Sequence, residues 1–569
     1  MDNKVNKNRL LKVTLILIAS LALAFVTSLP GAQKDVTLSG GSSKDLLAVN
    51  CEVNDASFDP GSGEYKAVPG GDSFLLYEGI GQSAKGVYLK LKKAADEDIT
   101  VKVYWTKNGD NNLSEKLSRS SVIKKGRNSA FVRVSSYELG LLRVNVFGDC
   151  TIDELSLSDG RVNTKYYFTG GFFKGFAVKA VLFFAILFLS MLSFEEETQS
   201  QGFIKSVFIG KQKNDSYRYE LDHVRTVAAI MVIMMHSICD IFIPHVERGD
   251  AGYGILRFVL AASLACNALY VMLSGTLILR PGKGSLKDFY LGRMVRVVIP
   301  TLCYYVLYMS TGYSKEMFGN GIAEGLKRCL KELLSGKSDY MPHIWLVYTI
   351  LGLYILAPFL RILLEHISEK ALFGLLLAGF IVNVLIMYLP LLKLSFGIET
   401  PIASWTGLFL LGYYMNTEHA KRFYNLFMIL GIFGAVCSFV MIYLDPDILY
   451  YTCNQAPNMW LVGAGIFAFY NRFKNVFGKK NIVIESISKY NFSIMLVHIL
   501  LLMKFVLPVG WRLEYEYGHL SFFIIMIIIV CLILSYICAV IYDNTVVKAV
   551  MYLYNRLSDS ITKTKKAAD

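Results

Sequence analysis

The chain is broken into apolar blocks of about 17–25 residues, the length at which a helix crosses the hydrocarbon core of a bilayer. They start with Val13–Leu29 and Phe172–Phe194 and recur throughout the sequence after Glu220. Lipid offers backbone amides no water, so such blocks must close their own hydrogen bonds as helices. The pattern predicts a mainly α polytopic membrane protein. Composition agrees, with 54% hydrophobic and 18% charged residues, too apolar for an ordinary soluble enzyme. The formal charge of +13 is scattered over the segments between blocks, as expected when Lys and Arg stay on the cytoplasmic side during insertion. No single basic stripe forms, which argues against a nucleic-acid partner.

Lys4, Lys7, Arg9 and Lys12 precede the first block, marking it as a signal anchor or a cleavable signal peptide. No A-x-A site precedes Gln33, so a retained anchor over 1–32 is the favoured reading. From 33 to 168 the pattern changes to short alternating segments: Ser73–Tyr77, Gly86–Leu91, Ile99–Trp105, Ala130–Val134, Leu142–Phe147 and Ile152–Leu157. Period-two runs punctuated by Gly, Asp, Asn and Ser predict an extracytoplasmic all-β sandwich domain. Its aromatics Tyr77, Tyr88, Tyr104 and Trp105 are either core or an exposed platform for sugar rings, so a glycan or protein partner of this domain is one reading. A second spanning helix, 169–194, returns the chain to the inside. The polar stretch 195–219, with Lys205, Lys211, Lys213 and Arg218, is then a cytoplasmic linker.

Ten further helices are expected over 220–545, near 223–244, 252–279, 294–311, 344–364, 371–391, 402–416, 424–443, 457–471, 487–507 and 520–541. Arg280, Lys283, Lys287, Arg293 and Arg296 crowd one connection, and Arg472, Lys474, Lys479 and Lys480 another. Lys563, Lys565 and Lys566 lie in a basic tail, 546–569. These charges place both termini in the cytoplasm of a multi-pass protein of the cell membrane, with the β domain outside. The ten Cys contain no C-x-x-C pair and no Cys/His metal spacing, so no metal site is expected. Cys51 with Cys150, or Cys329 with Cys453, are bridging candidates in an oxidising compartment.

Chemistry concentrates in the first bundle helix, where Arg225 and His236 are eleven positions apart. That spacing returns to nearly the same helix face about three turns, or roughly 16 Å, further along. An ionisable group so far inside a span is costly and marks a functional site, and a neutral His suits proton transfer. Arg293 and Arg296, at i and i+3 near a helix start, share a face; with Lys287 and the helix N-terminus they form a candidate anion site. Asn267, Ser274, His343, Trp345, Tyr348, Asn383, Ser493 and His498 are further polar groups in or near spans, either substrate-facing or helix–helix hydrogen-bonding groups. His498 is placed about two turns above the inner face, close to Arg225.

Taken as an ordered series, these pieces carry a resemblance. Leu221-Asp222-x-x-Arg225 with His236, then Tyr270-Val271-Met272-Leu273-Ser274-Gly275, then Arg293-x-x-Arg296 with Pro300, resemble the opening of the membrane acyltransferase 3 family. His343-Ile344-Trp345-Leu346-Val347-Tyr348 through Gly352-Leu353-Tyr354 and Pro358, Leu411-Gly412-Tyr413, and Ser493 to His498 are similar to its later landmarks, so the resemblance spans residues 217–541. It looks closest to members that O-acetylate bacterial surface polysaccharides. The resemblance implies a ten-helix bundle, preceded here by two extra transmembrane helices flanking the β domain. It also implies transfer of an acyl group, usually acetyl, from cytosolic acyl-CoA to a hydroxyl of an extracytoplasmic glycan. Acyl-CoA is then a co-substrate, and no tightly bound cofactor is called for. By the same resemblance His236 matches the catalytic His and Arg225 its basic partner; Arg293 and Arg296 match the family's R-x-x-R. Physically, Arg293, Arg296 and Lys287 suit CoA phosphates, and His236 suits a base toward the acceptor or a relay that is itself acylated. The rival reading is a non-enzymatic transporter or flippase of a glycan or small solute, which has no evident need of a phosphate-binding arginine pair.

Overall fold

The computed structural model describes residues 2–41, 43–68, 70–135, 137–198, 203–209, 217–239, 252–280, 285–509 and 520–568. Lys211, Lys213, Lys283, residues 240–244 of the first expected bundle helix, and the side chains of Lys563, Lys565 and Lys566 lie outside the described residues. The chain divides into two compact units, Met1–Phe188 and Leu189–Asp569.

In the first unit, helix α1 (Asp2–Ser28) leads into strand Gln33–Ser39, and strand Arg161–Tyr167 leads into helix α2 (Gly170–Thr198). The two strands pair antiparallel with Gln33 opposite Tyr167, so the chain leaving α1 is zipped to the chain entering α2. Arg127 fastens this ribbon to the sheets: its guanidinium lies 3.5 Å over the Tyr167 ring and 3.5 Å from Asp35. Two antiparallel six-stranded sheets make the body. One is ordered 118–123, 99–107, 138–147, 74–77, 52–54, with 82–83 also on 138–147; the other is ordered 129–133, 86–91, 150–158, 64–67, 56–59, with 43–45 also on 150–158. All six segments expected from alternation are strands. The others are short or polar, and pairing rather than pattern makes them extended.

Val101, Val103, Val144 and Val146 of one sheet and Val87, Leu89, Leu155 and Leu157 of the other supply a sandwich-like core. The aromatics belong to it. Tyr77, Tyr88 and Trp105 are buried, and Trp105 Nε1 donates to Ser135 Oγ at 3.2 Å. Tyr104, on the opposite face of its strand, is half-buried, its hydroxyl 2.6 Å from Glu115 and Lys102 4.8 Å from its ring centroid. Of the two readings of these aromatics, core is the one found for Tyr77, Tyr88 and Trp105, because alternation along 99–107 turns Trp105 inward. None of the ten cysteines, all among the described residues, is disulfide-bonded, those of both bridging candidates included.

The second unit is helical: α3 (Phe203–Phe208), α4 (Glu220–Cys239), α5 (Tyr253–Ser263), α6 (Cys266–Ile278), α7 (Leu286–Leu307), α8 (Ser314–Phe318), α9 (Ile322–Ser335), α10 (Ile344–His366), α11 (Glu369–Tyr388), α12 (Trp405–Tyr414), α13 (Glu418–Lys421), α14 (Tyr424–Leu444), α15 (Pro457–Arg472), α16 (Lys474–Phe477), α17 (Ile482–Leu501), α18 (Leu520–Tyr542) and α19 (Lys548–Ala568). Among the described residues ten helices are long and apolar enough to cross a membrane, two before Glu220 and the rest from Glu220 onward. α12 and α15, with 10 and 16 residues, are shorter than that and mostly buried. Close crossings seat them inside the bundle. A Cβ on Gly275 of α6 would lie 1.8 Å from the Phe409 carbonyl oxygen of α12, and one on Gly412 would lie 2.0 Å from that of Met272. Only glycine lets two helix backbones touch this way.

Three stretches expected as linker, loop or tail are helical. α3 docks on α17, where the Ser206 carbonyl accepts Lys489 Nζ at 2.8 Å. α9 has an exposed stripe of Ile322, Leu326, Leu330 and Leu334, while Glu332 on its other side is buried and accepts the Tyr305 hydroxyl at 2.9 Å. Opposed faces of this kind suit a membrane surface. α19 occupies the expected basic tail. In both α9 and α19 a narrow apolar stripe among charges hides the helical period.

Candidate active site

α4 and α17 run side by side in the same direction and meet at two levels. At the first, Arg225 Nη1 lies 2.5 Å from Asp222 Oδ1 and 3.2 Å from Ser488 Oγ of α17. Asp222 is buried, and the same oxygen also accepts Ser488 Oγ at 2.6 Å and the Tyr217 hydroxyl at 2.8 Å. One carboxylate thus satisfies three donors and fixes the guanidinium, which keeps a paired charge tolerable at this depth. Neighbouring His223 turns elsewhere, its ring 5.6 Å from Tyr470 and 5.1 Å from Phe477.

Three turns on, at the second level, the His236 and His498 rings are 5.2 Å apart, and His343 at the start of α10 is 5.3 Å from His498. The placement of His498 near Arg225 is therefore corrected. α17 begins at Ile482 rather than near 487, so His498 sits about 24 Å along it, and Ser488 is the residue that meets Arg225. His343 Nε2 lies 3.1 Å from the Leu496 carbonyl, and His498 Nδ1 lies 2.7 Å from the Met495 carbonyl. Carbonyls only accept, so those nitrogens carry the hydrogens and both tautomers are fixed. The lone pairs of His343 Nδ1 and His498 Nε2 remain without a protein partner among the described residues. Tyr308 holds the same turn of α17, donating to the Leu496 carbonyl at 3.1 Å and accepting from the Leu500 amide at 3.0 Å.

A cavity of about 210 Å³ opens on this cluster, lined by His236, His343, Asn267, Trp345, Asn454 and Cys453 among others. Asn267 Nδ2 donates to Asn454 Oδ1 at 2.9 Å, and the Trp345 ring packs 5.6 Å from Trp405. Of the sequence candidates, His236, Asn267, His343, Trp345 and His498 converge here. Tyr348 and Ser274 do not: Tyr348 donates to the Leu333 carbonyl beside α9, and Ser274 hydrogen-bonds Tyr354. Asn383 binds the Gln455 carbonyl. Ser493 donates to Asp543 Oδ2 at 2.6 Å, and the Tyr304 hydroxyl binds the other carboxylate oxygen at 3.0 Å. Asp543 was missed in the sequence, although an acid closing so long an apolar run is itself a signal.

Arg293, Arg296 and Lys287 are exposed on α7. α7 starts at Leu286, not near 294, and its cap, Ser285 Oγ, accepts the Asp288 amide at 3.1 Å. The two arginines thus lie two to three turns inside the helix, and the expected combination with its N-terminus is corrected. Arg293 instead feels Arg361, whose Nε donates to the Ile278 carbonyl at 2.7 Å. Among the described residues no group of three His, Cys, Asp or Glu side chains is arranged to hold a metal ion.

The two levels supply a fixed cation at one end of α4 and imidazoles facing a cavity near the other, a donor-and-base arrangement suited to group transfer. The acyltransferase 3 family, described as an acyltransferase domain, matches residues 218–542, from just before α4 to the end of α18. Neither the curated proteins nor the solved structures give a match to this chain. The match covers more than half of the sequence and, apart from Tyr217, both levels of the site; the chain belongs to the acyltransferase 3 family of membrane acyltransferases.

Proposed function

We propose that the protein takes an acyl group, acetyl by preference, from cytosolic acyl-CoA and delivers it to a hydroxyl of an extracytoplasmic cell-surface glycan. The observation that carries this reading is the histidine cluster at the cavity, separated by about three helix turns from the fixed Arg225. The end of the bundle bearing Arg280, Arg293 and Arg472 is assigned to the cytoplasm by the excess of Lys and Arg in its connections. His236 accepts the proton of the attacking hydroxyl, which then attacks the thioester carbonyl and expels the thiolate of CoA. In this scheme His498, whose ring lies 5.2 Å from that of His236 and whose Nε2 has no protein partner among the described residues, holds the His236 ring N–H and orients the base as the third member of a triad does. His498 is in this scheme a positioning residue.

The test is acetyl-CoA consumption and glycan acetylation by purified protein in lipid. His236→Ala is expected to lower turnover by about 10²–10⁴-fold, the usual worth of a positioned base. His498→Gln is expected to lower kcat with little change in the KM for acetyl-CoA. Wild-type turnover by His236→Ala would remove the assignment, and no acyl-CoA consumption by wild type with a glycan present would remove the donor.

A further inference from the structure

One recess in the bundle has a chemistry the histidine site does not use. Its volume is about 610 Å³, and Arg218, Lys421, Arg422, Arg472 and Lys474 line it against a single carboxylate, Glu220. That carboxylate is already neutralised, because Arg218 Nε donates to Glu220 Oε1 at 2.6 Å. Lys421 pairs with Glu418, whose charge also reaches Lys474 and Arg422 at longer range, and no direct ion pair holds Arg422, Arg472 or Lys474 among the described residues. The charge excess at this end of the bundle follows the insertion rule, but that rule scatters cations over connections and does not gather them around a hollow.

Two further features add to the potential. Glu220 and Tyr424 are the first residues of α4 and α14, so two long helices direct their positive ends at the recess. Arg280 lies close enough to Arg218 for the two charges to interact, and Arg361 is held against the Ile278 carbonyl at the end of the same α6, facing Arg293. A basic band therefore runs from the recess to Arg293. From Glu220 to His236 the distance along α4 is about 24 Å. A ligand serving both places carries its anionic groups at one end of a long arm and its reactive group at the other.

We propose that this recess binds the phosphate-bearing nucleotide end of the acyl-CoA donor, with its 3′-phosphate against Arg422, Arg472 and Lys474. The proposal rests on the acyl-CoA reading above and places the grip on the nucleotide at residues other than Arg293 and Arg296. It implies that the protein distinguishes CoA from dephospho-CoA.

The probe is adenosine 3′,5′-bisphosphate, titrated with acetyl-CoA and acetyl-dephospho-CoA against the full chain in nanodiscs of zwitterionic lipid. Wild type is expected to bind the bisphosphate and to prefer acetyl-CoA over its dephospho form by at least about tenfold, the equivalent of one charge-assisted contact. Arg422→Gln/Arg472→Gln/Lys474→Gln is expected to lose both properties while its melting temperature stays put, since all three side chains are exposed. Lys474→Gln alone gives the same direction at lower amplitude, and Arg293→Gln/Arg296→Gln is expected to keep the preference for the 3′-phosphate.

Equal bisphosphate binding by wild type and triple variant, or acetyl-CoA binding without preference over the dephospho form, overturns the recess and leaves the donor reading standing. Bisphosphate binding lost in the triple variant, with no acetyl-CoA consumed, keeps a nucleotide site and overturns the donor reading. Absence of binding to all three probes overturns both, whereas displacement of the bisphosphate by added phosphatidylglycerol and not by acetyl-CoA overturns the recess alone and makes it a lipid headgroup site.

Discussion

The α6–α12 crossing can be tested by one methyl group. Gly275→Ala places a Cβ 1.8 Å from the Phe409 carbonyl oxygen and 2.7 Å from its carbon. Both atoms are backbone, so no rotamer relieves the contact; the helices must part by roughly 1.5 Å to reach ordinary van der Waals separation. Intrinsic propensity acts the other way, because Ala in a helix interior is favoured over Gly by about 0.8–1.0 kcal/mol. Overpacking a tight contact costs about 1–3 kcal/mol or more, and an unyielding backbone puts this one at the upper end. The net is about 2 kcal/mol of destabilisation, or a fall of about 2–3 °C in melting temperature at this size. Gly352→Ala is the control: it is exposed on α10 and a Cβ there meets nothing within 4 Å, so propensity alone acts and the melting temperature holds or rises slightly. Purified variants in one lipid, followed by tryptophan fluorescence on heating, give both numbers. A Gly275→Ala protein as stable as Gly352→Ala would refute the close crossing. The crossing also bears on function, since α6 carries Asn267 into the histidine cavity.

Other predictions follow from buried partners. Asp222→Ala strands a mostly buried guanidinium and is expected to cost about 2–4 kcal/mol, against about 1 kcal/mol for Ser488→Ala, which removes one of three donors; equal thermal shifts for the two would dismiss Asp222 as the hub of the first level. In the β domain, burial pushes the Cys150 thiol up from 9.0 to about 12, and Tyr65 beside it is also raised to about 12. Both groups are neutral when protonated and are held protonated by the fold, so their contribution is intact below pH 9 and is lost as pH rises from there toward 12. Alkylation mapped by mass spectrometry at pH 8–9 is expected to label Cys150 far more slowly than an ordinary thiol; labelling at the rate of free cysteine would contradict that burial.

Much of the helical architecture was legible because lipid imposes it. A helix is found at every expected bundle position, although α7 and α17 start earlier than expected and the second expected helix is split into α5 and α6, since length and hydropathy decide a span without reference to its neighbours. What needs a partner was not legible. The 10 residues of α12 are too few to cross a bilayer, and only its seat against Gly275 explains why it stays inside. α9 reads as a charged loop because the four residues of its exposed apolar stripe, Ile322, Leu326, Leu330 and Leu334, are each separated by three others. The histidines were visible singly, yet nothing in the spacing from His343 to His498 says that α10 and α17 meet at Leu496. His498 was misplaced because the start of its helix is polar, Glu485, Ser486, Ser488 and Lys489 reading as connection although Glu485 and both serines are buried. Asp222 was quoted as part of a motif but not as a site residue; only Tyr217 and Ser488 closing on it reveal that it organises Arg225.

The size of the histidine cavity leads to a prediction about the acyl chain. Its volume, about 210 Å³, is below the roughly 300–1,000 Å³ of pockets that enclose drug-sized ligands. It suits the tip of a pantetheine arm with a short acyl group, and each methylene beyond the fit is worth about 1–3 kcal/mol of discrimination. Activity is therefore expected to fall steeply from acetyl-CoA to butyryl-CoA and to vanish for octanoyl-CoA, with the loss in kcat/KM. Trp345 forms part of the wall and is itself backed by Trp405, so Trp345→Ala enlarges the cavity toward α12 without touching His236. That variant is expected to gain on butyryl-CoA relative to acetyl-CoA by about tenfold, a gain of one methylene's worth of room. If it loses activity on every donor in proportion, Trp345 supports the fold rather than setting the chain length. If wild type consumes octanoyl-CoA as readily as acetyl-CoA, the acyl group does not enter this cavity, and His236 would have to act on it from outside.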